Sequence, residues 1–221
     1  MQHSSDSEPQ ATSSDIERAV AVIRQGGMVA FPTETYYGLA VDPFNREAVS
    51  RLFAVKRRAP DKPILNLVPD REKMVRLVRR VPPCYEPLIA AFWPGPLTLV
   101  FAAAEDVPVI LTGYTGTVGL RISSNPVAAG LATAYGGPIS ATSANLSGLP
   151  AAVTAAEVSS QLGPDVDLII DGGTTPGGLG STIIGVADER PVLLRAGVIS
   201  REKISEVLGD DFVLDGPVSE Q

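Results

Sequence analysis

The sequence is poor in cysteine and histidine: Cys84 and His3 are the sole examples in 221 residues. A lone cysteine excludes an intrachain disulfide, and sparse cysteine fits a reducing compartment. A histidine confined to a polar terminal stretch argues against a Ser-His-Asp triad, a Cys-His pair and a His-rich metal site. Aromatic residues make up 5% of the chain, and no apolar run approaches the length of about 18 residues that a transmembrane helix needs. Residues 1–10 lack the basic and apolar segments of a secretory signal. These absences together lead us to expect a cytoplasmic protein with no membrane contact.

The remaining composition is that of a globular protein: 44% hydrophobic and 19% charged. Its length suits one domain with tails. We expect a disordered acidic and polar tail at 1–14, a domain at 15–208 and an acidic tail at 209–221. Net charge is −7, but residues 1–15 and 209–221 hold seven acids and no base, so the interior is balanced. Within it, residues 46–80 hold eleven bases against four acids. That is either a set of solvated helix faces or a positive field that contacts RNA.

Hydrophobic periodicity alternates between helix and strand. Ser14-Asp-Ile-Glu17 reads as a capping box, opening a helix that ends at Gly26-Gly27. Asn45 can cap a helix running to about Arg57. Helices are also expected near 70–80, 84–92, 126–135, 154–161 and 201–208. Strands are expected at 28–31, 64–68, 97–102, 118–122, 139–141, 167–170, 182–186 and 191–195. The alternation predicts a single α/β domain with a twisted, mixed, open sheet flanked by helices.

Four segments carry polar chemistry where packing alone would not place it. Lys56 continues the apolar stripe Val49, Leu52, Phe53 of the second helix, and Arg57, Arg58 and Lys62 follow. The lysine either snorkels to water or faces a polar pocket. In the strand at 117–122, Arg121 shares a face with Thr117 and Gly119. A buried arginine needs a partner: a protein carboxylate, or a ligand carboxylate or phosphate held bidentately. Pro138 to Gly148 runs from a strand into a loop offering Ser143, Asn145 and Ser147, either a hydrogen-bonded turn or a ligand site at a strand end. Gly172 to Ser181 is glycine-rich, fitting a lid, an anion nest or a loose hairpin loop. No Walker A pattern and no strand-to-helix GxGxxG occurs.

Seven segments, in order, resemble the YrdC family of threonylcarbamoyl-AMP synthases. They are Pro32-Thr-Glu-Thr-x-Tyr-Gly-Leu, Lys56-x-Arg58-x-x-Asp-x-Pro63, Trp93-Pro-Gly-Pro-Leu-Thr, Thr117-Val-Gly-x-Arg121, Ser143-Ala-Asn-x-Ser-Gly148, Ser181-Thr-Ile and Leu194-Arg195-x-Gly197. The resemblance covers about 15–208. It implies a YrdC-like fold and a nucleotidyltransferase that joins L-threonine, bicarbonate and ATP into L-threonylcarbamoyl-adenylate, with release of pyrophosphate. A downstream tRNA threonylcarbamoyl transferase complex would use the product.

By the same resemblance, Lys56, Arg58, Lys62, Thr117, Ser143, Asn145 and Arg195 would line the ATP site, with Lys56 and Arg58 catalytic. Thr35, Arg121 and Ser181 would hold L-threonine. Mg2+ would accompany the phosphates with no dedicated protein ligands. The chain departs from the pattern at Leu67, where some members carry histidine, and at Ala59, commonly proline. It also stops short of the extra C-terminal domain of the longer subfamily. Two other readings stay open. One is an RNA-binding or nucleotide-binding relative without turnover, which includes weak contact of the basic stretch with tRNA or double-stranded RNA. The other is a paralogue acting on a different carbamoyl-type substrate.

Overall fold

A computed structural model describes residues 11–209. Of the tails expected at 1–14 and 209–221, residues 1–10 and 210–221 lie outside the described residues. The first helix, α1 (Ser13–Arg24), starts inside the stretch assigned to the N-terminal tail. Its cap is Thr12, not Ser14. The Thr12 hydroxyl accepts from Asp15 N at 3.3 Å, and the Asp15 carboxylate accepts from Thr12 N at 3.0 Å. Asp15 therefore closes the capping box.

After α1 come β1 (Val29–Phe31) and β2 (Gly38–Ala40), an antiparallel pair joined by residues 32–37. Asn45 then caps α2 (Arg46–Lys56), its Oδ1 accepting from Glu47 N and Ala48 N at 3.1 Å each. Next are β3 (Leu65–Leu67), α3 (Glu86–Phe92), β4 (Leu97–Ala102), β5 (Thr117–Arg121) and α4 (Pro126–Tyr135). The chain continues through β6 (Ile139–Ser140), β7 (Thr142–Ser143), α5 (Ala155–Leu162) and β8 (Leu168–Ile169). It closes with β9 (Thr182–Ala187), β10 (Arg190–Arg195) and α6 (Arg201–Leu208). The helix expected across 70–80 is a short 3-10 segment, Glu72–Arg76.

The strands form two mixed sheets. One has the order β10-β9-β4-β5-β3-β6, the other β7-β2-β1-β8. The segment 139–143 links them. Ile139 and Ser140 pair with β3, whereas Thr142 and Ser143 pair with β2. Ser140 also donates its backbone N–H to Val41 O at 3.1 Å, and Ala141 N–H donates to Leu65 O at 2.8 Å. This crossing lays β5, β2 and β7 around one polar region.

Two apolar clusters support it. The larger includes Leu52, Phe53, Tyr85, Leu99, Val118 and Leu120. The second packs α1 and α4 onto Phe31, Leu67 and Ile139. Leu67 is fully buried in this second cluster. Close packing of this kind leaves little room for added volume.

The loop after α2 is held against residues 111–113. Ile64 N–H donates to Leu111 O at 3.0 Å. Gly113 has φ +55°, and a Cβ there would lie 2.6 Å from Asp61 O and 2.7 Å from Pro63 N. Gly113→Ala therefore combines left-handed strain with a backbone clash. We expect a loss of more than about 1 kcal/mol of stability, read as a lowered denaturant midpoint.

Candidate active site

The site begins where α2 ends. Val49, Leu52 and Phe53 bury one face of the helix, and Lys56 continues that face at 1% exposure. Its ammonium neither snorkels to water nor stands free. It donates to Asn145 O at 2.8 Å, to Asn145 Oδ1 at 3.3 Å and to Ser143 O. Burial, and secondarily the charge of Arg58, push its pKa down to about 7. The three oxygens act the other way, because they favour the charged form.

The turn that follows depends on Arg57, a non-glycine residue with φ 50°. Arg57 N–H donates to Ala54 O and Arg58 N–H to Phe53 O, both at 3.0 Å. The reversal leaves Arg57 exposed and draws Arg58 inward. Arg58 Nη2 donates to Pro63 O at 2.9 Å, and its Nε donates to Lys62 O at 3.4 Å. Burial lowers the Arg58 pKa, opposed by Asp61. Lys62 thus supports Arg58 through its carbonyl.

Ser143 and Asn145 close on Lys56 from the opposite side. Asn145 Oδ1 accepts from Ser143 Oγ at 2.5 Å, and Asn145 Nδ2 donates to Leu149 O at 2.7 Å and Leu146 O at 2.9 Å. Ser147 N–H donates to Lys56 O at 2.9 Å. The serine-asparagine loop is therefore a hydrogen-bonded turn organised around a buried cation.

Arg121 lies at the end of β5, 3% exposed. Its Nε stands 3.3 Å from Glu34 Oε1. The other Glu34 oxygen accepts from Ser123 Oγ. Burial lowers the Arg121 pKa and Glu34 raises it. Thr35, beside Glu34, is buried with its hydroxyl 3.1 Å from that of Thr33. Ser181 is also buried, its hydroxyl 2.8 Å from Thr98 Oγ1. Arg195 Nη2 donates to Ser181 O at 2.8 Å and to Ser181 Oγ at 3.2 Å.

Several of these charges are close enough to act on one another. The Arg195 pKa is lowered by burial of its guanidinium, then by the charges of Arg121 and Arg58. Lys56 in turn feels Arg58. Lys56, Arg58, Arg195 and Arg121, from α2, its following turn, β10 and β5, thus form a linked run of cations, with Ser143 and Asn145 on Lys56 and Ser181 on Arg195. Thr117, half-buried at the start of β5, has its hydroxyl 2.8 Å from that of Thr115.

The glycine-rich stretch is tied down, not loose. Tyr37 Oη donates to Gly173 O and Tyr36 Oη to Gly178 O, both at 2.7 Å, while Gly177 N–H donates to Thr35 O at 2.8 Å. Most of the remaining basic stretch is engaged elsewhere. Arg51 pairs with Asp167 at 2.6 Å and Arg71 with Glu86 at 2.7 Å. Arg80 pairs with Glu189 at 2.5 Å. Arg76 stacks on Phe44 at 4.7 Å, and Arg79 Nε donates to Ala103 O at 3.0 Å. A small cleft lined by Val22, Gln25, Gly26, Gly27, Arg51 and Asp167 shares no residue with the cationic site.

Sequence reasoning left out Glu34, Ser123 and Thr98. Glu34 carried a usable signal. A buried Arg121 called for a carboxylate, and Glu34 is the sole acid between Val29 and Val41.

A family model described as telomere recombination, covering Sua5, YciO and YrdC proteins, matches residues 21–197. This chain belongs to that family. It is 40% identical over 195 residues to the threonylcarbamoyl-AMP synthase of Pyrococcus abyssi, covering 88% of this chain and 57% of the relative. A Vibrio cholerae threonylcarbamoyl-AMP synthase is 38% identical over 163 residues, covering 73% of this chain and 87% of its own length. The crystal structure of P. abyssi Sua5 complexed with L-threonine superimposes with a TM-score of 0.87 at 39% identity, covering 91% of this chain and 59% of that one. The chain thus spans a little over half the length of the P. abyssi relative, and 58% of a Bacillus subtilis one. Among the described residues no helix is long and apolar enough to cross a membrane.

Lys56→Met keeps much of the side-chain volume and removes the cation. It takes one donor from three oxygens, of which Asn145 Oδ1 keeps Ser143 Oγ and Ser143 O keeps Asn145 N–H while Asn145 O loses its lysine partner, at a cost of about 1–3 kcal/mol. Thermal and denaturant unfolding should show that loss, and amide exchange at residues 143–149 should speed up more than exchange in β4 and β5.

Proposed function

We propose that this protein makes L-threonylcarbamoyl-adenylate and pyrophosphate from L-threonine, bicarbonate and ATP. The product would feed threonylcarbamoyladenosine modification of tRNA through a transferase complex in the cytoplasm. The observation that carries the reading is the linked run of cations Lys56, Arg58, Arg195 and Arg121, the last paired with the carboxylate of Glu34. Such a site attracts a polyanion, and like charges held together by the fold are relieved when an anion arrives.

The chemistry suits these groups. The amine of threonine adds to the carbon of bicarbonate or CO2 to give a carbamate. A carbamate oxygen then attacks the α-phosphorus of ATP in line, and pyrophosphate leaves. This step requires alignment and stabilisation of negative charge more than a histidine base. In our reading Arg58 and Arg195, with Lys62 and Thr117 at the rim, hold the triphosphate. Lys56 keeps Ser143 and Asn145 in place beside it. Arg121 takes the threonine carboxylate, with Thr35 and Ser181 as hydroxyl partners. Magnesium would enter on the phosphates. The metal would be ligated chiefly by phosphate oxygens and water.

The L-threonine named with the P. abyssi structure supports the amino-acid half of the assignment. The pairing of five basic residues with protein groups leaves less of the 46–80 stretch for RNA. A nucleotide-binding relative without turnover predicts ATP binding and no chemistry.

Pyrophosphate release from ATP should therefore require both L-threonine and bicarbonate. A chain that binds ATP and releases none under those conditions would refute the assignment. Arg58→Ala should slow release by about a hundredfold or more with the fold retained by circular dichroism. Arg121→Lys keeps the charge and loses the two-donor fork. It should raise the KM for L-threonine at least tenfold by loss of a charge-assisted bond worth about 1.5–3 kcal/mol, while the KM for ATP changes little.

A further inference from the structure

Glu34 Oε1 and Arg121 Nε are both buried and both without a hydrogen-bond partner. They stand 3.3 Å apart, attracted by charge but not aligned as donor and acceptor. Buried polar atoms are seldom left this way, because each lost hydrogen bond in a dry setting is costly. Asn66 Oδ1, the other such buried side-chain atom among the described residues, belongs to a neutral amide. The Glu34–Arg121 pair therefore concentrates two unmet charged atoms at one point.

The surroundings fix Glu34 in place. Ser123, 3% exposed, donates to its second oxygen, and the same hydroxyl accepts from Asn125 N–H at 3.2 Å. Asn125 in turn caps α4 through Val127 N and Ala128 N. The carboxylate is thus anchored to a helix start, with Oε2 committed to Ser123 and the buried Oε1 left without a hydrogen bond. Arg121 Nε is walled off and unpartnered, on a side chain that is 4% exposed. A carboxylate with an unmet oxygen and a guanidinium with an unmet nitrogen thus stand side by side, close enough to Arg195 for its charge to be felt.

An α-amino acid carries the complementary pair, a carboxylate and an ammonium on one carbon. In a field set by Lys56, Arg58 and Arg195, an ammonium enters only opposite a carboxylate. We propose that Glu34 accepts a hydrogen bond from the α-ammonium group of the amino-acid substrate and so orients the nitrogen that becomes carbamoylated. This rests on the reading of L-threonine as substrate with its carboxylate on Arg121. It adds the recognition of the amine, which separates an amino acid from a plain hydroxy acid.

The experiment compares two ligands in isothermal titration: L-threonine and (R)-3-hydroxybutanoate, which keeps the carbon skeleton, the carboxylate and the hydroxyl but lacks the amine. Glu34→Gln preserves size and the bond from Ser123 while removing the charge. It should weaken L-threonine binding by about tenfold to a hundredfold, the loss of one charge-assisted hydrogen bond, and leave hydroxybutanoate binding unchanged. If Glu34 served only to position Arg121, both ligands would weaken together, and the proposal would be overturned. Glu34→Asp keeps the charge on a shorter stem and should restore part of the threonine preference. Should Glu34→Gln fail to fold, an unchanged ratio of the two affinities in Glu34→Asp would equally overturn it. Wild-type protein that binds no L-threonine would sink both this proposal and the synthase reading. Wild-type protein that makes the adenylate, with the ratio unmoved in Glu34→Gln, would sink only the role of Glu34.

Discussion

Lys56 carries a charge into a position almost closed to water, and three oxygens from one short segment surround it. A buried ammonium is tolerable only with such partners. The requirement binds the end of α2 to the turn at 143–145, and through Asn145 to the carbonyls of Leu146 and Leu149. Because β7 pairs with β2 while β6 pairs with β3, the same contact draws the two sheets toward one point. The polar region between the sheets is thus organised from within, by a cation whose hydrogen bonds are spent on the protein.

Against this fixed cation the other three charges are placed with fewer protein contacts. Arg58 is steered by the left-handed turn at Arg57 and held by two carbonyls. Arg195 is held by Ser181, and Arg121 by Glu34 alone among carboxylates. Burial lowers the pKa of both Arg58 and Arg195, and the charges of Arg121 and Arg58 lower that of Arg195 further. An arginine stays charged through such shifts. The repulsion therefore remains as a standing preference for an anion. Lys56 anchors, and the arginines present charge.

The basic stretch divides along the same line. Arg51, Arg71 and Arg80 meet acids on the surface, and Arg76 and Arg79 meet an aromatic ring and a carbonyl. Exposed pairs of this kind contribute little to stability, but they neutralise much of the field outside the site. The family relationship holds over the folded region, with P. abyssi and V. cholerae relatives differing in how much of their length it fills.

The sequence by itself determined the mixed α/β architecture, most helices, and the ordered motifs that belong to the family. Those signals are local: apolar periodicity, caps and short polar runs survive in any reading of the chain. It misplaced the cap of α1 by two residues, because Thr12 and Ser14 offer equivalent hydroxyls and only the helix direction chooses between them. It also missed β2 and β7, whose two or three residues form strands only because neighbours from distant segments supply their hydrogen bonds. Tertiary structure alone decided that Lys56 spends its protons on the protein, and that Glu34 answers Arg121 across 87 residues of chain. A side chain's partner depends on which segments the fold brings within about 3 Å, and spacing along the sequence carries no record of that distance.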